Sequence, residues 1–384
     1  MTHKNSSFCR KSRLITAFML LFQVAGAQSS FDKAGEWLKN NVSELGGRAV
    51  LVIFKDGKMV YNKAVNELSG KQKMIGRFIA RRQGKDPEEA LKDFNSITIE
   101  LIASCSKWLS AALAMTFVDE GKLNLNDSIG KFLPDMTSHG KGQIKVWQCL
   151  SHLTGIKTPS LKDSRELISK AHTMEEAINN IALLPMEGKP GETFHYSSEG
   201  LQIIAAILEK LGGKNFETLF HDRIAIPCNM KYTDFGHVSV PLAAGGARSS
   251  AEDYLHFLVM ILNEGKYLGK QVLSKQSVIE MQRNRVTKEA TIAYSPAEAG
   301  DWGYGFGEWV MDNPVMITSG KNGIPGSERS AGVTSPGLFG SFPWVENKLH
   351  YAGFLFTFNI KTKGRNERYK ELKKIIDEAI KMNE

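Results

Sequence analysis

Strand-forming sequence stands at both ends of this chain and helical sequence fills the middle, which limits the folds open to it. Near the start, GRAVLVIFKDGKMVYNKAV (residues 47–65) reads as two strands around Lys55-Asp56-Gly57-Lys58, a hairpin turn signal. After Trp302 the segments WGYGFGEWVM, GLFGSFPWVEN and KLHYAGFLFTFNI read as strands again, and RNERYKELKKIIDEAIKM as a charged closing helix. Between them lie amphipathic or apolar helices, among them TMEEAINNIALLPM, EGLQIIAAILEKLGG, KNFETLFHDRIAIPCNM and SAEDYLHFLVMILNEGK. The simplest solution is an α+β fold: one antiparallel sheet assembled from both chain ends, flanked by terminal helices, with a mostly helical region inserted. The expected division is a sheet region of about residues 43–100 and 245–384 and a helical region of about 101–244. Clefts form where two such regions meet.

One helix at that junction has an unusual head. Ser104, Cys105, Ser106 and Lys107 precede Trp108, Leu109, Ala111, Ala112, Leu113, Met115, Phe117 and Val118, a run apolar nearly all round and closed by Gly121 as a C-cap. Ser104 could be its N-cap. A lysine in the first turn opposes the helix dipole. It is there either to snorkel to water or for chemistry. Ser104 and Lys107 are three apart and share a helix face. A serine hydroxyl is a poor nucleophile until a neighbouring base takes its proton. A lysine is such a base only when burial and nearby positive charge lower its pKa. The same helix start offers backbone N–H groups to an oxyanion. Alone, S-x-x-K is a weak signal.

The first 27 residues are read apart from the fold. Lys4, Arg10, Lys11 and Arg13 form a basic n-region, LITAFMLLFQVAGA an apolar h-region, and Ala25-Gly26-Ala27 a small-x-small cleavage signal. Cleavage after Ala27 implies an exported protein, periplasmic or extracellular, with residues 28–384 as the mature chain and no stable membrane span. The whole chain carries 49 basic and 41 acidic residues, and removing this segment leaves 45 against 41. So mild a balance does not argue for nucleic acid. The one basic run, GKQKMIGRFIARRQGK (residues 70–85), reads as a solvated face. Cys105, Cys149 and Cys228 are too widely spaced for a disulfide framework or a metal site. No metal and no cofactor is expected.

Further motifs give S-x-x-K its context. Tyr196-Ser197-Ser198 lies just before the apolar helix EGLQIIAAILEKLGG, and Ser335-Pro336-Gly337 precedes the strand pair LFGSFPWVENKLHYAGFLF. With these the chain resembles the serine β-lactamase-related hydrolases: class C β-lactamases, D,D-peptidases (penicillin-binding proteins) and esterases of the same fold. That family carries S-x-x-K, then Y-x-N or Y-S-x, then K-T-G or H-x-G on an edge strand. FVDEGKLNLNDSIGKFLPDM, VWQCLSHLTGI and GARSSAEDYLHFL also resemble its framing segments, so the likeness runs from about residue 47 to about 360. The resemblance implies a β-lactamase/transpeptidase-like fold. It implies Ser104, Lys107 and Tyr196 as catalytic residues, with Ser198, Ser335, Gly337 and Leu338 in substrate binding or the oxyanion hole. The backbone N–H groups of Ser104 and Leu338 would hold the oxyanion.

The third motif departs from the pattern. Ser335 stands where the family places a lysine, and Lys321-Asn322-Gly323 lies too far upstream to replace it. Ser198 stands where class C enzymes have Asn. Both departures suit an esterase or amidase acting on a small substrate. The alternatives are a β-lactamase or D,D-peptidase, or a non-catalytic binding module of the same fold. Other features take structural readings: Glu120-Gly121-Lys122-Leu123-Asn124 as a helix tail, His152 as a junction residue, His195 as aimed away from the site, and Gly303, Gly305 and Gly307 as strand glycines rather than a phosphate loop.

Overall fold

The computed structural model describes residues 30–82, 84, 86–311, 329–361 and 363–383. Residues 1–27, read above as an export signal, and Lys321-Asn322-Gly323 lie outside the described residues.

Seven strands make the main sheet: β1 (Arg48–Lys55), β2 (Lys58–Asn66), β3 (Gly303–Tyr304), β4 (Trp309–Val310), β5 (Gly332–Thr334), β6 (Phe342–Glu346) and β7 (Tyr351–Thr357). Their order is β2-β1-β7-β6-β5-β4-β3, and every neighbouring pair is antiparallel. The sheet is thus built from both chain ends, with β1 laid against β7 from Ala49 opposite Thr357 to Lys55 opposite Tyr351. The hairpin β1–β2 turns at Asp56 and Gly57, with φ of 50° and 80°. Positive φ at both central residues matches the right-handed twist of the strands and explains why Asp-Gly stands there.

Alternate residues of β1 face opposite layers, as a pleated strand requires. Ala49, Leu51 and Ile53 pack with Phe342, Trp344 and Leu355 against two terminal helices, α1 (Asp32–Asn41) and α5 (Arg365–Lys381). Trp37 and Leu38 of α1 and Tyr369, Leu372 and Ile376 of α5 complete that layer. Val50 and Val52, with Val333, Val345, Phe354 and Phe356, face the larger helical core. All seven residues of β7 are buried, so it reads as an unbroken apolar run. Gly353 on β7 pairs with Trp344, whose indole lies where a Cβ would stand, 2.2 Å from Cζ2.

Three helices of the other layer matter for the site: α2 (Ser106–Asp119), α3 (Glu199–Gly212) and α4 (Ala251–Leu262). Every residue of α2 from Ser106 to Phe117 is buried. Gly121 follows it at φ 68° and donates its N–H to Val118 O. Helix α3 closes on Gly213 in the left-handed region, and Ser250 caps α4 by accepting the Asp253 N–H.

Four local expectations change. Ser104 is not an N-cap: it lies in a 3-10 turn, Ala103–Cys105, and Cys105 precedes α2 without a side-chain cap. Residues 214–230 are not one helix but Phe216–Phe220 running into a π turn, His221–Ala225. The strand segment WGYGFGEWVM is split into β3 and β4 by a bend at residues 306–308. Finally, β5 is not an edge strand, because β4 and β3 lie outside it.

Candidate active site

Ser104 is held by its neighbours' backbone. Ala103, just before it, takes φ 47°, a left-handed conformation that costs a non-glycine residue on the order of 1–3 kcal/mol. Several bonds offset that strain. The Ile102 N–H donates to Ala247 O at 3.0 Å. Ser106 Oγ donates to Ala103 O at 2.5 Å and accepts the Ala247 N–H at 3.0 Å. Tyr254 donates its hydroxyl to Cys105 O at 2.8 Å.

Two glycines let the sheet side close on this turn. A Cβ at Gly337 would stand 2.4 Å from Ile102 O, and one at Gly307 2.4 Å from Lys107 O. Ser335, buried at the end of β5, shares its hydroxyl hydrogen between Gly307 O at 2.9 Å and Ser104 O at 3.2 Å. The Ser335 hydroxyl thus ties the strand end to the serine turn. Leu338, with its side chain exposed, follows Gly337, and its N–H makes no hydrogen bond among the described residues. Its carbonyl accepts from Arg365 Nη1 at 3.0 Å. Arg365 also reaches Asn359 O, Lys361 O and the Glu298 carboxylate, so it pins this loop to the start of α5.

Lys107 is 3% exposed. Its Nζ donates to Ser104 Oγ at 3.1 Å and to Ala244 O at 2.9 Å, and lies 4.7 Å from the Tyr196 ring centroid. Burial pulls its pKa down to about 7, against an opposing pull from the Glu199 carboxylate. A neutral lysine amine has two hydrogens and one lone pair. With a hydrogen directed at Ala244 O, the lone pair is free to take the Ser104 proton.

Tyr196 hydrogen-bonds the Ser104 side chain. Its ring stacks on Trp309 at 5.2 Å and meets His152 at 4.7 Å and Tyr304 at 5.9 Å. Burial raises the phenol above the usual tyrosine range, so the hydroxyl stays protonated at neutral pH. His152 sits at φ 59°. Its Nδ1 accepts the Ser197 N–H at 3.3 Å, which leaves the hydrogen on Nε2 to donate to Tyr304 OH at 3.0 Å. Burial, with smaller contributions from Lys107 and His195, holds His152 well below its ordinary pKa. It is a neutral residue that positions Tyr196.

Ser198 is buried, and its N–H donates to Glu199 Oε2 at 3.0 Å. Glu199 also accepts from Ser164 Oγ at 2.6 Å and Thr158 Oγ1 at 3.3 Å. Sequence reasoning passed over Glu199, although an acid directly after Tyr-Ser-Ser at a helix start was a usable signal. It also passed over Arg365 and Glu308. Glu308 is fully buried, has no partner for either carboxyl oxygen among the described residues, and is pushed well above the usual carboxylate range by burial.

The remaining motif residues are structural. Glu120 forms a two-point ion pair with Arg223, at 2.7 and 3.1 Å. His195 Nδ1 meets Glu187 Oε1 at 2.5 Å. A Cβ at Gly305 would overlap Met281 O, so that glycine seals a turn. Cys105 is a buried thiol whose pKa burial raises. Among the described residues no cluster of three His, Cys, Asp or Glu side chains is arranged to hold a metal.

A family model described as Beta-lactamase matches residues 38–374. Protein Rv1367c of Mycobacterium tuberculosis is 25% identical over 302 residues, covering 64% of this chain and 72% of that protein. Among solved structures, a candidate β-lactamase from Bacteroides dorei DSM 17855 superposes with a TM-score of 0.72 at 22% identity, covering 91% of this chain and 99% of the other. EstCE1, named as a hydrolase with promiscuous acyltransferase activity, does so with a TM-score of 0.68 at 18% identity, covering 92% and 99%.

Proposed function

The chain belongs to the β-lactamase family, a family of serine hydrolases, and we propose that it is an exported member that forms an acyl-enzyme on Ser104 with a small ester or amide. The observation that carries this reading is the buried Lys107 amine, 3.1 Å from Ser104 Oγ and with a pKa lowered to about 7. Ser104 Oγ attacks the substrate carbonyl carbon while its proton passes to Lys107 Nζ. The oxyanion lies between the backbone N–H groups of Ser104 and Leu338. As the intermediate collapses, the Tyr196 hydroxyl protonates the leaving alcohol or amine and is reprotonated from Lys107. Water then attacks the acyl carbonyl. Lys107 takes its proton and passes it to Ser104 Oγ as the acyl C–O bond breaks, which releases a carboxylic acid and restores the serine hydroxyl and the neutral amine. Tyr196 acts as a proton relay in the phenol form, since burial disfavours its phenolate. No step calls for a metal or cofactor.

Esters are favoured over β-lactams and D-amino-acid peptides. A cation facing a substrate carboxylate contributes about 1.5–3 kcal/mol, or roughly ten- to over a hundredfold in kcat/KM if it acts in the transition state. Ser335 occupies that place here, and its hydroxyl is committed to two carbonyls. A neutral ester loses nothing by this.

The test is a panel of p-nitrophenyl esters, nitrocefin and D-amino-acid amides, with a fluorophosphonate adduct mapped by digestion. Turnover of short esters and an adduct on Ser104 are expected. Fast nitrocefin turnover with inert esters would establish the β-lactamase reading instead. Failure of Ser104 to label would leave a binding module of the same fold. The export claim is checked separately, by finding Gln28 at or next to the new N-terminus of secreted protein.

A further inference from the structure

The basic run at residues 70–85 has no part in the hydrolytic site, yet it folds into a helix with two distinct faces. Helix Gly70–Arg82 contains five basic residues, Lys71, Lys73, Arg77, Arg81 and Arg82, and no acidic one. Gln72, Gly76 and Ala80, spaced four apart, form its inner face. Gln72 accepts the Ser69 N–H, Gly76 stands over Leu91 and Ala80 is buried. Lys71, Met74, Ile75, Phe78, Arg81 and Arg82 follow the three-and-four spacing of a single outward stripe, and all are exposed. Met74 and Phe78 are 65% and 64% exposed and Ile75 43%. Apolar side chains therefore hold the middle of the stripe, and long cationic ones hold its two ends, about 15 Å apart along the axis.

Of the acids flanking the helix, Glu88 pairs with Arg77 and Glu89 with Lys92. Asp86 accepts the Glu88 N–H, and neither it nor Glu67 is in an ion pair among the described residues, so five cations, one of them paired, face two unpaired acids. Lys71, Lys73, Arg81 and Arg82 make no ion pair among the described residues. The surface thus offers unneutralised positive charge beside uncovered apolar area. An acidic polymer would satisfy the charge and leave Met74, Ile75 and Phe78 in water. An anionic bilayer satisfies both, because basic stems reach the headgroups while the apolar side chains enter the acyl boundary.

We propose that helix Gly70–Arg82 docks this protein on an anionic lipid bilayer, lying in the headgroup plane with Met74, Ile75 and Phe78 inserted. The contact is peripheral, since no helix of the described residues is long and apolar enough to cross a membrane. It is independent of which bond Ser104 cleaves.

The experiment is vesicle flotation of the protein purified after export, using neutral phosphatidylcholine vesicles and equimolar phosphatidylcholine–phosphatidylglycerol vesicles at low and high salt. The variants share the native N-terminus, so the differences between them isolate this helix. Native protein should float with the anionic vesicles at low salt and detach at high salt. Met74→Ser with Phe78→Ser should lower the partition coefficient roughly tenfold or more. Lys71→Gln with Arg81→Gln and Arg82→Gln should lower it on the order of a hundredfold. Unchanged thermal unfolding midpoints would show that both sets fold. Three results would overturn the proposal: native protein that ignores anionic vesicles or binds neutral ones equally, undiminished binding by the Met74/Phe78 variant (an acidic-polymer surface), or a native dimer that this variant abolishes (a second copy on the stripe).

Discussion

Acylation of Ser104 should follow the titration of Lys107. Burial moves that amine from 10.5 to about 7, and only its neutral form can take the serine proton. At pH 7 about half of the molecules would carry a neutral Lys107, at pH 5 about one in a hundred, and at pH 9 nearly all. With an ordinary lysine the neutral share at pH 7 would be about one in three thousand, so burial contributes roughly a thousandfold in competent enzyme. The acylation rate should therefore climb tenfold per pH unit up to about 7 and then level off. The assay is the stopped-flow burst with p-nitrophenyl acetate, followed at the isosbestic wavelength of p-nitrophenol. A rate still climbing through pH 10 would refute the assignment, as would one flat from pH 5 upward. His152 cannot supply the limb, since it is held neutral well below its ordinary value. Lys107→Arg, always charged, should lose the burst by several orders of magnitude.

Other perturbations separate chemistry from packing. Lys107→Met should be catalytically dead, yet its stability relative to native protein should be pH-dependent. The native lysine has a folded pKa below its unfolded one, so its destabilising cost is full below pH 7 and fades toward 10.5. The variant's relative advantage in urea should accordingly shrink by about 1.4 kcal/mol per pH unit between those limits, and a constant difference would contradict the burial account. Ser104→Ala should abolish fluorophosphonate labelling with little effect on unfolding. Ser106→Ala should keep labelling but lose about 1–3 kcal/mol, because Ala103 O and the Ala247 N–H lose their shared partner. Gly337→Ala, with its new Cβ 2.4 Å from Ile102 O, should slow labelling at least tenfold and lower the unfolding midpoint, as scanning calorimetry would show.

The fold was legible where local chemistry and long-range pairing agree. Asp56-Gly57 announces its hairpin because few other pairs accept positive φ twice. Strand signals at both chain ends led to a sheet in which β1 pairs with β7, about three hundred residues later. The segment WGYGFGEWVM reads as strand, but its division into the two-residue strands β3 and β4 and their place outside β5 were not legible. Partners define them, not periodicity, and they move β5 away from the sheet edge. The π turn at His221–Ala225 was hidden for a similar reason, since its residues also suit an ordinary helix.

At the site, spacing carried one kind of information and burial another. Ser104 and Lys107 meet because residues three apart on a helical turn meet wherever that turn is packed. Whether such a lysine is a base depends on what covers it, and here that cover comes from distant segments. Ala244 supplies the second acceptor for Nζ, the Tyr196 ring lies across the amine, and the Glu199 carboxylate tempers the desolvation. Ser335 shows the converse. Its place in the motif suggested a group offered to substrate, but a hydroxyl has one hydrogen, and Gly307 O and Ser104 O already share it. Those two carbonyls belong to the β3–β4 turn and the serine turn. The Ser335 hydroxyl joins the sheet to the serine turn. Replacing Ser335 with lysine would thus have to break that joint before it could add a cation, which is why a gain of β-lactam turnover from this single change is not expected.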